Sequence, residues 1–172
     1  MHPLAARLAR GDEAAFAELY DACGDRLFAY LTARLGTRDR AADVLQEAFV
    51  RAVENRRRFN KVENPVAYLF EIARNEAVRF NTRRNRRESV QQIPVELFGR
   101  IDNSSDRERA ELAAAALERI APDERELVEL KIFGGLTFRE IAELTGMPQA
   151  TVATTYRRAL ERLRPWLEKQ FS

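Results

Sequence analysis

Residues able to do covalent chemistry are few in this chain and poorly placed for it. One histidine (His2) and one cysteine (Cys23) stand among 172 residues, which leaves neither an internal disulfide nor a side-chain zinc cluster. General acid–base work would fall to paired carboxylates. Asp123, Glu124 and Glu126 are better accounted for as early residues of a helix, where the macrodipole favours acids. Gly134-Gly135 is no phosphate-binding fingerprint. The expectation is therefore no enzyme, with no metal and no cofactor.

Non-covalent recognition is better provided for. The whole chain carries a net charge of only +2, so any charged surface must come from segregation along the sequence. From Arg74 to Arg87 six arginines stand against Glu76 alone, whereas Asp106 to Glu129 holds eight acidic and four basic residues. Tyr68 and Phe80 fall on the same expected helix as the arginines. Aromatic faces beside guanidinium forks suit single-stranded nucleic acid, stacking on its bases and neutralising its phosphates. A solvated helix end is the plain alternative.

A second candidate lies between Thr137 and Arg164. A short capped helix, a turn at Gly146 and a longer helix from Pro148 have the helix-turn-helix layout. The second helix is expected to bury Val152, Tyr156, Ala159 and Leu160. It would present Gln149, Ala150, Thr151, Thr154, Thr155 and Arg158 to a major groove. Arg157, Arg158, Arg162 and the helix N-terminus would meet phosphates, and Arg139 on the first helix joins this set. Only Gln149 offers a bidentate amide, and threonine can donate, accept or touch a thymine methyl. Here the alternative is an ordinary helical hairpin.

Helices must position all of these residues. Apolar residues make up 45% of the chain, ordinary for a globular protein, while seven Gly and six Pro are few for a sandwich or barrel. The first stripe at helical spacing is Phe16, Leu19, Tyr20, Cys23, Leu27, Tyr30, Leu31 and Leu35, with Gly36 as C-cap and Thr37 capping the next helix. The second is Ala41, Val44, Leu45, Ala48, Phe49, Ala52 and Val53. The basic stretch Arg56 to Lys61 then reads as a loop. Asn64-Pro65 starts a third helix bearing Val66, Leu69, Ile72, Ala73 and either Val78 or Phe80.

Helical period is lost between Asn85 and Ser104, and the stretch reads as a tether. A loop packed back through Leu97-Phe98 is the alternative. Ser105 to Glu108 has capping-box spacing, followed by Leu112, Ala116, Leu117 and Ile120 on one face. Ala121-Pro122-Asp123 opens a helix with Leu127, Val128, Leu130 and Ile132, and Thr137 to Glu140 is a second capping box. The fold class expected is all-α. A helical bundle over 1–84 and a four-helix module with a helix-turn-helix over 105–172 are joined by a flexible linker over 85–104. The charged N-terminus is no signal peptide, and the longest aliphatic run, Leu112 to Leu117, cannot span a bilayer. A soluble, cytoplasmic chain without membrane insertion is expected.

Three motifs in order, between about Phe16 and Trp166, resemble the extracytoplasmic-function sigma factors, small sigma-70-type initiation subunits of RNA polymerase. Asp43-Val44-Leu45-Gln46-Glu47-Ala48-Phe49, then Arg51-Ala52, is similar to the family's Asp-Leu-Val-Gln-Glu-Thr-Phe stretch, which binds a coiled coil of the polymerase large subunit. Asn64 to Asn75 is similar to its Asn-Pro-x-x-Trp-Leu-x-x-Ile-Ala-x-Asn helix, which reads the melted minus-ten strand. Leu136 to Arg164 looks like its helix-turn-helix for the minus-thirty-five element.

The resemblance implies that Asp43, Gln46, Glu47, Val50 and Arg51 bind core polymerase. It assigns Phe59, Asn60 and Lys61 to a base-capturing loop, with Tyr68, Asn75, Arg79, Phe80, Arg83 and Arg84 also meeting the minus-ten strand. Core RNA polymerase and promoter DNA are the implied partners, and an anti-sigma factor, commonly present in the family, is a further candidate. Where the family has Gly-Thr-Val-Lys-Ser-Arg, this chain has Ala150-Thr151-Val152-Ala153-Thr154-Thr155, so two basic residues are missing. Weaker or altered minus-thirty-five binding follows. A polymerase-independent duplex-binding regulator and a sigma-like interaction protein with reduced DNA binding are the competing readings.

Overall fold

In the computed structural model residues 2–85 and 115–171 are described, and no strand occurs among them. The helices are α1 (Pro3–Ala9), α2 (Glu13–Leu35), α3 (Arg38–Glu54), a 3-10 turn (Arg56–Lys61), α4 (Pro65–Asn85), α5 (described over 115–118), α6 (Pro122–Ile132), α7 (Phe138–Thr145) and α8 (Gln149–Phe171). The expected tether beyond Asn85 and the capping box Ser105 to Glu108 lie outside the described residues, as do Arg86, Arg87 and Leu112.

Capping chemistry sets most helix ends where the sequence puts them. Thr37 accepts from the Arg40 N–H at 3.2 Å, and Asn64 Oδ1 accepts from the Ala67 N–H at 3.1 Å. Each satisfies one of the donors a helix start leaves unpaired. Both bonds of the Thr137–Glu140 capping box form, at 3.1 and 2.8 Å. Gly36 and Gly146 end α2 and α7 at φ 89° and 75°, a left-handed conformation that costs glycine nothing.

Several expectations needed adjusting. The stretch Arg56 to Lys61, expected as a loop, is a 3-10 turn wound around a fully buried Phe59. Of the alternatives in α4, Phe80 packs on the core and Val78 is exposed. Ile132 is exposed too. Leu160, expected to be buried, is 36% exposed. At about 100° per residue it sits some 80° round the helix from Val152, whereas Ala159 and Leu163 lie within about 20° of that line. Helix α1 was not anticipated: its seven residues bury Leu4, Ala5, Leu8 and Ala9 and pack against the 3-10 turn. Helix α8 runs through Pro165, beyond which Trp166 and Leu167 pack on the smaller core cluster.

The largest finding is how the two halves meet. One apolar cluster includes Leu19, Leu27, Tyr30, Leu69 and Phe70 from the first half together with Leu127, Leu130, Leu136, Ile141 and Val152 from the second. The smaller cluster, Ala116, Leu117, Ile120, Val128, Ala159 and Leu163, belongs to the second half alone. Helix α6 therefore turns Leu127 and Leu130 toward the first half and Val128 toward its own. Gly134 borders this contact: a Cβ there would stand 3.2 Å from the Phe70 ring of the first half and 2.6 Å from the Leu130 carbonyl oxygen of its own half.

Candidate polymerase and nucleic-acid surfaces

On α3 the buried side is Ala41, Val44, Leu45, Ala48 and Ala52, which leaves Asp43, Gln46, Glu47 and Val50 exposed along the opposite side. Arg51 is half-buried. Its Nε lies 3.1 Å from Glu47 and 3.4 Å from Glu76, and Glu76 also accepts from Arg79 at 3.0 Å. This chain of charges runs from the acidic face of α3 to the arginines of α4. It lines a small cleft with Asp43, Phe80 and Arg83.

Beside that face lies an open apolar groove of about 750 Å³ between α2 and α3, lined by residues that include Tyr20, Phe28, Leu45, Phe49, Val50 and Val53. Tyr20 is 51% exposed and Val53 44%, although both fall within the expected core stripes. Tyr20 leans on Phe49 with ring centroids 5.5 Å apart. Periodicity marks such residues as averse to water, but it does not say whether this chain or a partner covers them. Stripes wider than three helices need for one core were the available signal.

The basic turn needs one correction. Phe59 is fully buried, edge-on to Tyr68 at 5.0 Å and to Phe16 at 6.2 Å, so its ring holds the turn to the core and presents no face to a base. Asn60 and Lys61 are exposed on that turn, and Tyr68 is half-buried. Further along α4, Asn75, Arg79 and Arg83 are exposed; Phe80 is partly buried, and Arg84 reaches the Leu35 carbonyl at 3.5 Å. Arg74, the first residue of the arginine run, is paired with Glu126 of α6.

In the second half, Gln149, Ala150, Thr151, Thr154, Arg157, Arg158 and Arg162 are exposed on α8, and Thr155 is half-buried. Val152 is fully buried, and Tyr156 packs against Phe138 at 5.4 Å. The Thr154 hydroxyl donates to the Ala150 carbonyl at 2.8 Å, which leaves its lone pairs free to accept. Arg139 is exposed on α7, 3.3 Å from Glu143, and Arg162 pairs with Glu124 at 2.7 Å. This exposed face of α8 is thus polar and lightly charged near its N-terminus.

Burial pushes the Cys23 thiol up to about 11, which leaves it unreactive. Burial also pushes Glu129 up to about 7, opposed by the Arg34 guanidinium. The described residues hold no group of three or more histidine, cysteine or acidic side chains placed for a metal, and none of their helices is long and apolar enough to cross a membrane.

Comparison with known proteins agrees with this arrangement. A model of Sigma-70 region 2 matches residues 19–87, and one of Sigma-70, region 4 matches 110–163. The ECF RNA polymerase sigma factor RpoE of Cereibacter sphaeroides is 32% identical over 89% of this chain and 86% of its own length. The ECF RNA polymerase sigma factor BldN of Streptomyces coelicolor is 30% identical over 95% of this chain and 64% of its own. Among solved structures, CnrH in complex with the cytosolic domain of CnrY has the same fold at TM-score 0.70, with 21% identity and 96% of each chain covered. RpoE in complex with the anti-sigma factor NepR, from Bartonella quintana, has it at TM-score 0.63, with 24% identity over 91% of this chain and 96% of that one. Two family regions matched in order, and a relative 32% identical over most of both chains, establish that the chain belongs to the ECF RNA polymerase sigma factors.

Proposed function

We propose that this sigma factor docks on core RNA polymerase through Asp43, Gln46, Glu47, Val50 and Arg51 of α3. Asn60, Lys61, Tyr68, Asn75, Arg79, Phe80, Arg83 and Arg84 meet the melted minus-ten strand, and α8 meets the minus-thirty-five duplex through Gln149, Thr151, Thr154, Thr155, Arg157, Arg158 and Arg162, with Arg139 of α7. One observation carries this reading. An exposed acidic face stands beside an open apolar groove, and a charge relay joins it to the arginines of α4. A face of that kind fits a partner helix with apolar and basic residues. Phe59 is left out because it is core.

The missing basic residues at Ala153 and Thr155 support a weaker grip on the upstream duplex, so engagement rests more on polymerase and the minus-ten strand. CnrH was solved with the cytosolic domain of CnrY, and the RpoE of Bartonella quintana with the anti-sigma factor NepR. An anti-sigma factor is accordingly part of the proposal, and the cytoplasm, where polymerase works, is the site of action. Co-purification with bacterial core polymerase by size exclusion is the test. The intact chain co-elutes, and the double variant Asp43→Arg, Glu47→Arg elutes free with its helical circular dichroism unchanged. Co-elution of the double variant would remove α3 from the interface.

A further inference from the structure

Over the first four turns of α8, the line directly opposite buried Val152 carries Ala150, Thr154 and Glu161, all exposed. Each lies within about 20° of that line at about 100° per residue. In a helix-turn-helix the first turns of the second helix meet base edges, so this line decides which bases can be read. Among the described residues of α8 no guanidinium lies on it. Arg157 and Arg158 stand about 40° to one side and about 60° to the other, roughly 12 Å along the axis from Gln149. One arginine therefore leans toward each wall of a groove, where the phosphates are. Glu161 follows on the line itself, about 18 Å from Gln149, and phosphates on both walls repel a carboxylate there. Arg162 is taken up by Glu124 at 2.7 Å. Base reading is thus confined to the first two or three turns, whose central side chains are small.

The chemistry of those turns is one-sided. Thr154 Oγ1 donates its proton to the Ala150 carbonyl at 2.8 Å, so toward a base it offers acceptor lone pairs and a methyl group. Guanine presents only acceptors in the major groove, N7 and O6, and needs a donor that Thr154 does not supply while it holds that bond. Adenine N6 can donate to Thr154, and a thymine methyl can pack on the methyl groups of Thr154 and Ala150. Cytosine N4 can donate as well, but its pair has no methyl and sets unmatched guanine acceptors beside it. A·T and T·A are the two pairs that offer a donor and a methyl together. Gln149, exposed at the tip of the helix, carries the amide that pairs with adenine N6 and N7.

We propose that α8 selects A·T base pairs under its first two turns, reading adenine through Gln149 and thymine methyl groups through Ala150 and Thr154, while Arg157 and Arg158 grip phosphates. This rests on the reading of α8 as a duplex-binding helix and adds the bases it accepts. Selection by methyl packing and one amide is graded, because each base contributes a small factor and no single guanine anchors the register.

The experiment reconstitutes the intact chain with bacterial core polymerase and selects from promoter-length duplexes of random sequence. A run of A·T pairs is enriched upstream of the melted element. Uracil in place of thymine, which removes only the methyl, weakens binding by about fourfold for each contacted base. At the adenine read by Gln149, 7-deazaadenine weakens it on the order of tenfold, and Gln149→Ala no longer distinguishes the two. Thr154→Val keeps the methyl and stays sensitive to uracil; Thr154→Ser keeps the oxygen and loses that sensitivity. The position is exposed, so both variants fold, which circular dichroism checks.

An enriched upstream block built on guanine, or one indifferent to uracil and 7-deazaadenine, would overturn the proposal. So would a polymerase-bound chain that enriches no upstream block. A chain that does not bind polymerase sinks the sigma-factor reading instead. The same pool is then offered to the intact chain alone, and the block it selects is judged by the same two base analogues, with no selection again counting against the proposal.

Discussion

Replacing Phe59 separates a core anchor from a base-capturing ring, since the two roles predict opposite pairs of results. The ring is fully buried and meets Tyr68 at 5.0 Å and Phe16 at 6.2 Å, both nearly edge-on. Truncating a buried phenylalanine costs about 3–5 kcal/mol, which includes the cavity it leaves and its ring contacts. For a chain of this length each kcal/mol lowers the melting temperature by about 2–4 °C, so Phe59→Ala loses about 6–20 °C. Phe59→Leu refills most of the volume and loses about half as much, on the order of 2 kcal/mol. Asn60→Ala and Lys61→Ala, exposed on the same turn, stay within about 0.5 kcal/mol of the parent. The assay is thermal unfolding by circular dichroism, run beside binding of a minus-ten single strand by the chain in complex with core polymerase. Phe59→Leu retains strand binding and Lys61→Ala loses it in proportion to salt. An unchanged melting temperature for Phe59→Ala, with strand binding gone, would refute the burial argument and restore the ring to the surface.

Glu129 gives a pH dependence whose sign follows from burial. Its carboxyl is raised from 4.5 to about 7, so the folded chain binds that proton more tightly than the unfolded chain does. The stability it contributes is full below the unfolded value and is lost as pH rises through about 7; urea midpoints therefore fall between pH 5 and 8, and Glu129→Gln flattens that slope. Asp12, held low by its bond to Arg7, acts in the opposite sense, and only as pH falls through the acid end of the carboxylate range. Arg158→Ala weakens upstream-duplex binding by about 1–3 kcal/mol if the guanidinium meets a base edge, or reduces the salt slope by about one if it meets a phosphate. A titration unchanged across salt would remove it from the interface. Thr137→Ala deletes one bond of the capping box and lowers chemical stability by about 1 kcal/mol, felt most in the eight-residue α7, whose amide exchange quickens first.

Local chemistry was the legible part of the sequence. Thr37, Asn64, Thr137, Gly36 and Gly146 act within four residues of themselves, and each sits where it was expected. The exposed side of α3 and the exposed threonines of α8 were legible for the same reason, being what a stripe leaves over. Helix α1 was missed because a seven-residue segment is too short to display a period. Phe59 was placed in a base-capturing loop by the family resemblance; its burial comes from contacts with Phe16 and Tyr68 that its neighbours Arg56, Arg57, Arg58 and Lys61 do not reveal. The joining of the halves could not be read at all. Its pairs, such as Arg26 with Gly134 and Arg34 with Glu129, are about a hundred residues apart and leave no periodic trace.

Gly134 gives that join a bearing on how this sequence can drift. The ion pairs of the interface are made by long side chains whose ends can shift, so some exchanges among them would be absorbed. Position 134 has no such slack, because even a methyl group would collide with the Leu130 carbonyl and press on Phe70. The Leu130 collision lies within the second half, so glycine is held there whether or not the halves stay together, and only the press on Phe70 belongs to the join. Drift at this one codon is thus stopped by the turn itself, before any change in the surfaces that meet polymerase or DNA is felt.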